Sequence, residues 1–284
     1  MLRRFTAVLL ALVTLPLFAF TTPEAHAMKI QAVKSPGGIE AWLVEEHSVP
    51  LIALRFAFSG GNAQDATGKD GLANFMTGMM DEGAGDLTAV QFQQAMENIA
   101  MRMGFEDSRD YLYGSLETLT LNRDKAVELL RLAINKPRFD ADAVERVKAQ
   151  LLANLAFAAK SPDQVLAKEF SALLYPGHPY GRPSSGTAET VGSITGADLE
   201  AYRRRVFARS NLKVVAVGDI DAKTLGVVLD QVFGSLPAKA ELTPVPAVAL
   251  PAGGQLKVVE MNVPQSVASF AVNGITRKDP DFIA

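Results

Sequence analysis

Leu72, Phe75, Met76, Met79 and Met80 fall at the i, i+3, i+4, i+7, i+8 spacing of a helix with one apolar face, and residues 30–58 before them read as strands. A chain that alternates these two periods folds as a sheet covered by helices. Gly37 and Gly38 separate a strand at 30–33 from one at 40–44, and Pro50 opens a third at 51–58. Asp70 stands where the cap of the first helix belongs, and that helix is expected to end near Gly83.

Thr88 and Gln91 form a capping-box pattern before Phe92, Ala95, Met96, Ile99 and Met103, which predicts a second helix running to Gly104. Residues 111–121 alternate as a strand or strand pair. A helix over 123–135 is closed by Pro137, and Asp140 caps a long one reaching about residue 160. Turn signals crowd residues 161–196, read as loop or short helix. Helix returns at 198–208, followed by a strand at 213–217 and a helix at 222–233. The fold class is therefore α+β, a mixed sheet with helices packed on it.

Residues 236–255, rich in Pro, Ala and Gly, read as a linker after a domain spanning 28–235. A strand at 256–263 would open a second, truncated domain over 256–284.

Arg3 and Arg4 precede an apolar run at 5–20, then Pro23 and the small-residue pattern Ala25-His26-Ala27. Residues 1–27 read as a cleavable signal peptide, giving a periplasmic or secreted protein with no stable membrane insertion. The run is short for an uncleaved anchor. With 0 cysteines, stability rests on core burial, which a 48% hydrophobic composition can supply. A formal charge of −3 without a basic block argues against nucleic acid as a partner.

Residues 61–65 and 68–80 resemble the active-site segment of the M16 (insulinase-type) peptidases, in which HxxEH stands where this chain has Asn74 to Gly78. The likeness continues in Asn122-Arg123-Asp124-Lys125, in residues 178–183 with Gly186-Thr187, and in Ser210-Asn211-Leu212 leading to Val217-Gly218-Asp219. The resemblance implies two related α+β domains per subunit, and paired subunits or halves that close around a peptide chamber.

In HxxEH the two histidines, one turn apart, bind zinc, and the glutamate activates the metal-bound water. Here the first ligand position is Asn74, the base position Thr77 and the second ligand position Gly78. The family's third ligand, a glutamate on a later helix, aligns with Asn154, expected to point inward toward Asn74; Val147 stands for a supporting acid. No catalytic or metal-binding residue is therefore assigned, and zinc is expected only in a catalytic partner. His47 and His178 read as surface or turn histidines. Met76, Met79 and Met80 have the spacing of a buried face rather than of a soft-metal site, and Asp81 and Glu82 read as solvated helix-end acids.

The resemblance implies a non-catalytic subunit that pairs with an HxxEH-bearing zinc peptidase and helps hold peptide substrates. The family's substrate-binding edge strand is expected at Ala57, Phe58, Ser59, Gly60 and Gly61. The alternatives are a metallopeptidase using an unrecognised metal site and a free-standing periplasmic peptide-binding protein.

Overall fold

The computed structural model describes residues 29–249, 251, 253–275, 277 and 279–283; the expected signal peptide lies outside the described residues. No helix among them is long and apolar enough to cross a membrane.

Strands β1 (Gln31–Lys34), β2 (Glu40–Glu45), β3 (Leu51–Ser59), β6 (Arg102–Asp107), β7 (Tyr111–Leu119) and β8 (Leu212–Gly218) form a sheet in the order β1-β2-β8-β3-β7-β6. Only β2 and β8 run parallel; the other pairs are antiparallel. Strands β4 (Gly83–Ala84) and β5 (Leu87–Thr88) make a separate small hairpin.

Alternation places one face of this sheet in the core. Ile52, Leu54, Phe56 and Phe58 of β3 are buried beside Leu112 and Leu116 of β7 and Val214 and Ala216 of β8. Phe58 stacks on Phe207 with ring centroids 4.6 Å apart, and Phe56 meets Phe233 edge-on at 5.2 Å. A Cβ at Gly114, opposite Phe56 in the ladder, would lie 2.0 Å from the Phe56 ring, so this aromatic layer needs glycine there.

The helices are α1 (Leu72–Met79), α2 (Ala89–Glu97), α3 (Arg123–Asn135), α4 (Ala141–Ala158), α5 (Pro162–Leu174), α6 (Ala188–Ser193), α7 (Gly196–Val206) and α8 (Ala222–Phe233). The α3 and α8 spans match the sequence pattern, and the Thr88–Gln91 capping box is present.

Helix α2 stops at Glu97, not near Gly104. Ala100 takes a positive φ of 50°, and Met103 pairs with Leu116 in β6. Its helical spacing was a coincidence that sheet pairing overrides. Helix α5 occupies 13 residues of the stretch read as loop or short helix; Pro162 sits in its first turn, where a missing N–H costs nothing.

Asp70 does not cap α1. The N-cap is Gly71, in the left-handed region at φ 92°, and Asp70 Oδ1 accepts from Arg182 Nη1 at 3.2 Å. Capping comes instead from buried Asp65, whose carboxylate accepts from the N–H groups of Gly71 (2.9 Å), Leu72 (3.1 Å) and Ala73 (2.9 Å). Arg182 further donates to the carbonyls of Asp65 and Ala63, and Thr190 Oγ1 to that of Asp70. Burial pushes the Asp65 carboxyl up to about 7, against the N–H donors and the Arg182 charge that favour the anion.

The segment read as a linker is strapped to the domain through residue 246. Gln64 and Thr243 exchange two hydrogen bonds, at 2.9 and 2.8 Å, and the carbonyl of Pro246 lies 3.1 Å from His178 Nε2. Residues 256–263 form no ladder with any described residue, although Lys257 Nζ pairs with Glu169 at 2.9 Å. Ladder hydrogen bonds need a neighbouring strand, which the described residues do not supply.

Asp65→Ala would leave three helix-start N–H groups without their acceptor. The expected loss, read from urea unfolding at pH 8, is about 3 kcal/mol; a change below about 1 kcal/mol would show that the cap does not hold α1.

Candidate functional site

Helix α1 buries Leu72, Ala73, Phe75, Met76 and Met79, which leaves Asn74, Thr77 and Gly78 on the side away from the core. Asn74 Nδ2 donates to Asp107 Oδ1 at 3.1 Å, and Asn62 Nδ2 donates to Asp107 Oδ2 at 2.9 Å. One carboxylate at the end of β6 thus clamps two amides from different segments. Thr77 Oγ1 donates back to the carbonyl of Asn74 at 2.7 Å, a bond within its own helix.

Gly78 has no side chain, and the space beside it is nearly taken. An added Cβ would lie 3.3 Å from Val147 Cγ1 of α4. Val147 packs against the core from the position resembling the family's supporting acid.

Asn154 departs from expectation. Its side chain is exposed, and its Oδ1 accepts from Gln150 Nε2 at 2.9 Å, one turn back on α4. It makes no hydrogen bond to Asn74, because each amide is already satisfied locally, Asn74 by Asp107 and Asn154 by Gln150. The residues at these four positions do not fit zinc: two neutral amides, a hydroxyl and a glycine replace imidazoles and carboxylates. Among the described residues no group of three or more His, Asp or Glu is placed to hold a metal ion.

The expected edge strand is not an edge. Ala57, Phe58 and Ser59 belong to β3, which is flanked by β7 and β8; Ala57 pairs with Tyr113 and Lys213, and Phe58 with Leu112 and Leu212. Gly60 donates to the Asp110 carbonyl at 2.6 Å, and Gly61 is pressed so closely on Ser108 that a Cβ would meet its carbonyl at 2.2 Å. The edge beside α1 is β6, last in the sheet order, with no partner opposite β7 among the described residues. The sequence hid it behind the helical spacing of Met103.

A cleft of about 710 Å³ adjoins Asn62, walled by α4, α5 and the 182–188 loop. Glu82, read as solvated, instead pairs with Arg146 of α4, and burial raises its carboxyl despite that charge. Asp81 accepts from Gln93 at 2.9 Å.

His47 lies in the β2–β3 turn. Its Nδ1 is 2.7 Å from Asp219 Oδ1, and its Nε2 is 3.6 Å from Glu45 Oε2. The Asp219 hydrogen bond raises its pKa above the ordinary 6.5.

Two family models match the chain: "Insulinase (Peptidase family M16)" over residues 43–188 and "Peptidase M16 inactive domain" over residues 193–284. The chain belongs to the M16 peptidase family. Among its relatives, a Helicobacter pylori protein described as "Non-peptidase homolog YmxG" is 29% identical over 74% of this chain and 48% of its own length. The mitochondrial-processing peptidase subunit beta of Neurospora crassa is 21% identical over 78% of this chain and 48% of its own length. The chain spans about half the length of the curated relatives it matches.

Among solved family structures, a Pseudomonas fluorescens peptidase M16 inactive domain superposes with a TM-score of 0.74 at 28% identity, covering 78% of this chain and 54% of that one. Pitrilysin shares the fold with a TM-score of 0.69 at 20% identity, over 80% of this chain and 25% of its own. The M16 fold expected from the motifs is thus the fold observed.

Two measurements follow from this geometry. Gly78→Ala gains helix propensity but must push Val147 aside, so alone it should change stability little; in a Val147→Ala background it should stabilise by about 1 kcal/mol. Equal effects in both backgrounds would show that Val147 does not limit position 78. For His47, an NMR titration should give a pKa above 6.5 that Asp219→Asn lowers. Because the folded value is raised, the contact's stabilisation is full below the unfolded pKa and is lost as pH rises through the folded one. The stability gap between wild type and Asp219→Asn should therefore narrow with rising pH; a gap constant from pH 5 to 8 would refute the charge contact.

Proposed function

We propose that this chain is a non-catalytic subunit of an exported M16 peptidase, pairing with an HxxEH-bearing zinc subunit to complete a chamber that holds peptides. One observation carries the reading. The frame of the motif helix is intact, with Asp65, Arg182 and Thr190 fixing its start, while positions 74, 77, 78 and 154 offer a peptidase nothing with which to bind zinc or activate water. A helix kept in place without its chemistry fits a role in shape and assembly.

The likeness to a protein described as a non-peptidase homologue supports the absence of catalysis, and the likeness to a processing-peptidase subunit supports pairing. Peptide would be held by main-chain addition to the free edge of β6, Arg102–Asp107, which needs no catalytic residue. Zinc would reside in the partner alone.

Native purification of the full-length protein from its own cells, with mass spectrometry and metal analysis, tests this reading. The expected result is a companion bearing HxxEH, with zinc in proportion to the companion. Stoichiometric zinc and chelator-sensitive cleavage by this chain alone would overturn it in favour of an unrecognised metal site. Recovery as a monomer would favour a free-standing binding protein.

A further inference from the structure

The cleft beside Asn62 is apolar along Leu152 and Leu155 of α4 and Val165 of α5, and cationic at Arg109 and Lys168. Arg109 sits in the β6–β7 turn, two residues beyond the end of β6. Its guanidinium carbon lies 5.1 Å from the Tyr175 ring centroid and 5.5 Å from that of Tyr180, and its Nη2 donates to Ser171 Oγ at 3.2 Å. Lys168 and Ser171 are three apart on α5 and so share a helical face.

The acids nearby are already engaged. Glu169 pairs with Lys257, the Tyr180 hydroxyl donates to Asp110 Oδ1 at 2.6 Å, and Asp70 holds the third cation of the cleft, Arg182. Among the described residues neither Arg109 nor Lys168 has an ion-pair partner. A guanidinium steadied by two rings has lost part of its rotamer freedom, yet it keeps N–H groups open in the fork that suits a carboxylate. A peptide added along β6 reaches Arg109 about two residues past Asp107, roughly 7 Å on.

We infer that the cleft selects peptides by a carboxylate, which Arg109 receives with Lys168 beside it, while Leu152, Leu155 and Val165 take the neighbouring apolar side chain. The carboxylate comes from an acidic side chain or from the peptide's own C-terminus. This inference rests on the peptide-holding role proposed above and adds the class of peptide held.

Fluorescence anisotropy on the purified full-length protein tests it with three octapeptides of alternating valine and threonine carrying an uncharged BODIPY label at the N-terminus. One ends in a free carboxylate, one in an amide, and one is amidated but carries a glutamate as its penultimate residue. At low salt at least one carboxylate form should bind about tenfold tighter than the neutral amide, a ratio that falls as salt rises. Whichever acid binds tighter identifies the source of the carboxylate. Arg109→Gln should bring the ratio close to one, and Arg109→Lys should restore part of it. Equal binding of all three peptides, or a ratio unchanged in Arg109→Gln, overturns the carboxylate selection and leaves peptide holding in place. Failure of all three to bind overturns both.

Discussion

The buried carboxylate of Asp65 is the interaction on which the site region depends. It accepts from three successive N–H groups at the start of α1, and its side chain fixes where that helix begins and which way it points. Arg182 then ties the same turn to a loop more than a hundred residues later. At Gly186 a Cβ would lie 2.2 Å from the Asp70 carbonyl, so the two segments touch at the backbone. Burying a carboxylate is costly, and the donors around it are what make the position tolerable.

Within this frame, the side chains aligned with the family's reactive positions bond to neighbouring groups of the protein. Asn74 and Asn62 close on Asp107, Thr77 bonds its own helix, and Asn154 bonds Gln150. Each of these polar groups is satisfied by a hydrogen bond within the protein. The residues at positions 74, 77 and 78 do not set the direction of α1, because the packing that orients it uses its other face, through Phe75, Met76 and Met79.

Most helices were legible from the sequence because their signals are local. Residues Arg123–Asn135 and Ala222–Phe233 have clear periodicity, and Thr88 with Gln91 forms a complete capping box. The failures share one cause. Asp70 looks like a cap but is bound by Arg182, while the real cap lies five residues earlier across a turn. Met103 continues a helical spacing, yet its backbone belongs to a ladder with β7. Each outcome depends on a partner distant in sequence.

That positions 74, 77 and 78 carry none of the HxxEH side chains could be read from residue types alone, since no fold can give an imidazole to Asn74 or a side chain to Gly78. Family membership was also readable, because the motifs occur in order along the chain. Which strand is the sheet's edge was not readable. Alternation reveals which side of a strand faces the core, but pairing partners are chosen in three dimensions, and tertiary structure placed β3 inside the sheet and β6 at its rim. The same step brought Arg109 against the rings of both Tyr175 and Tyr180, residues whose meeting no local pattern encodes.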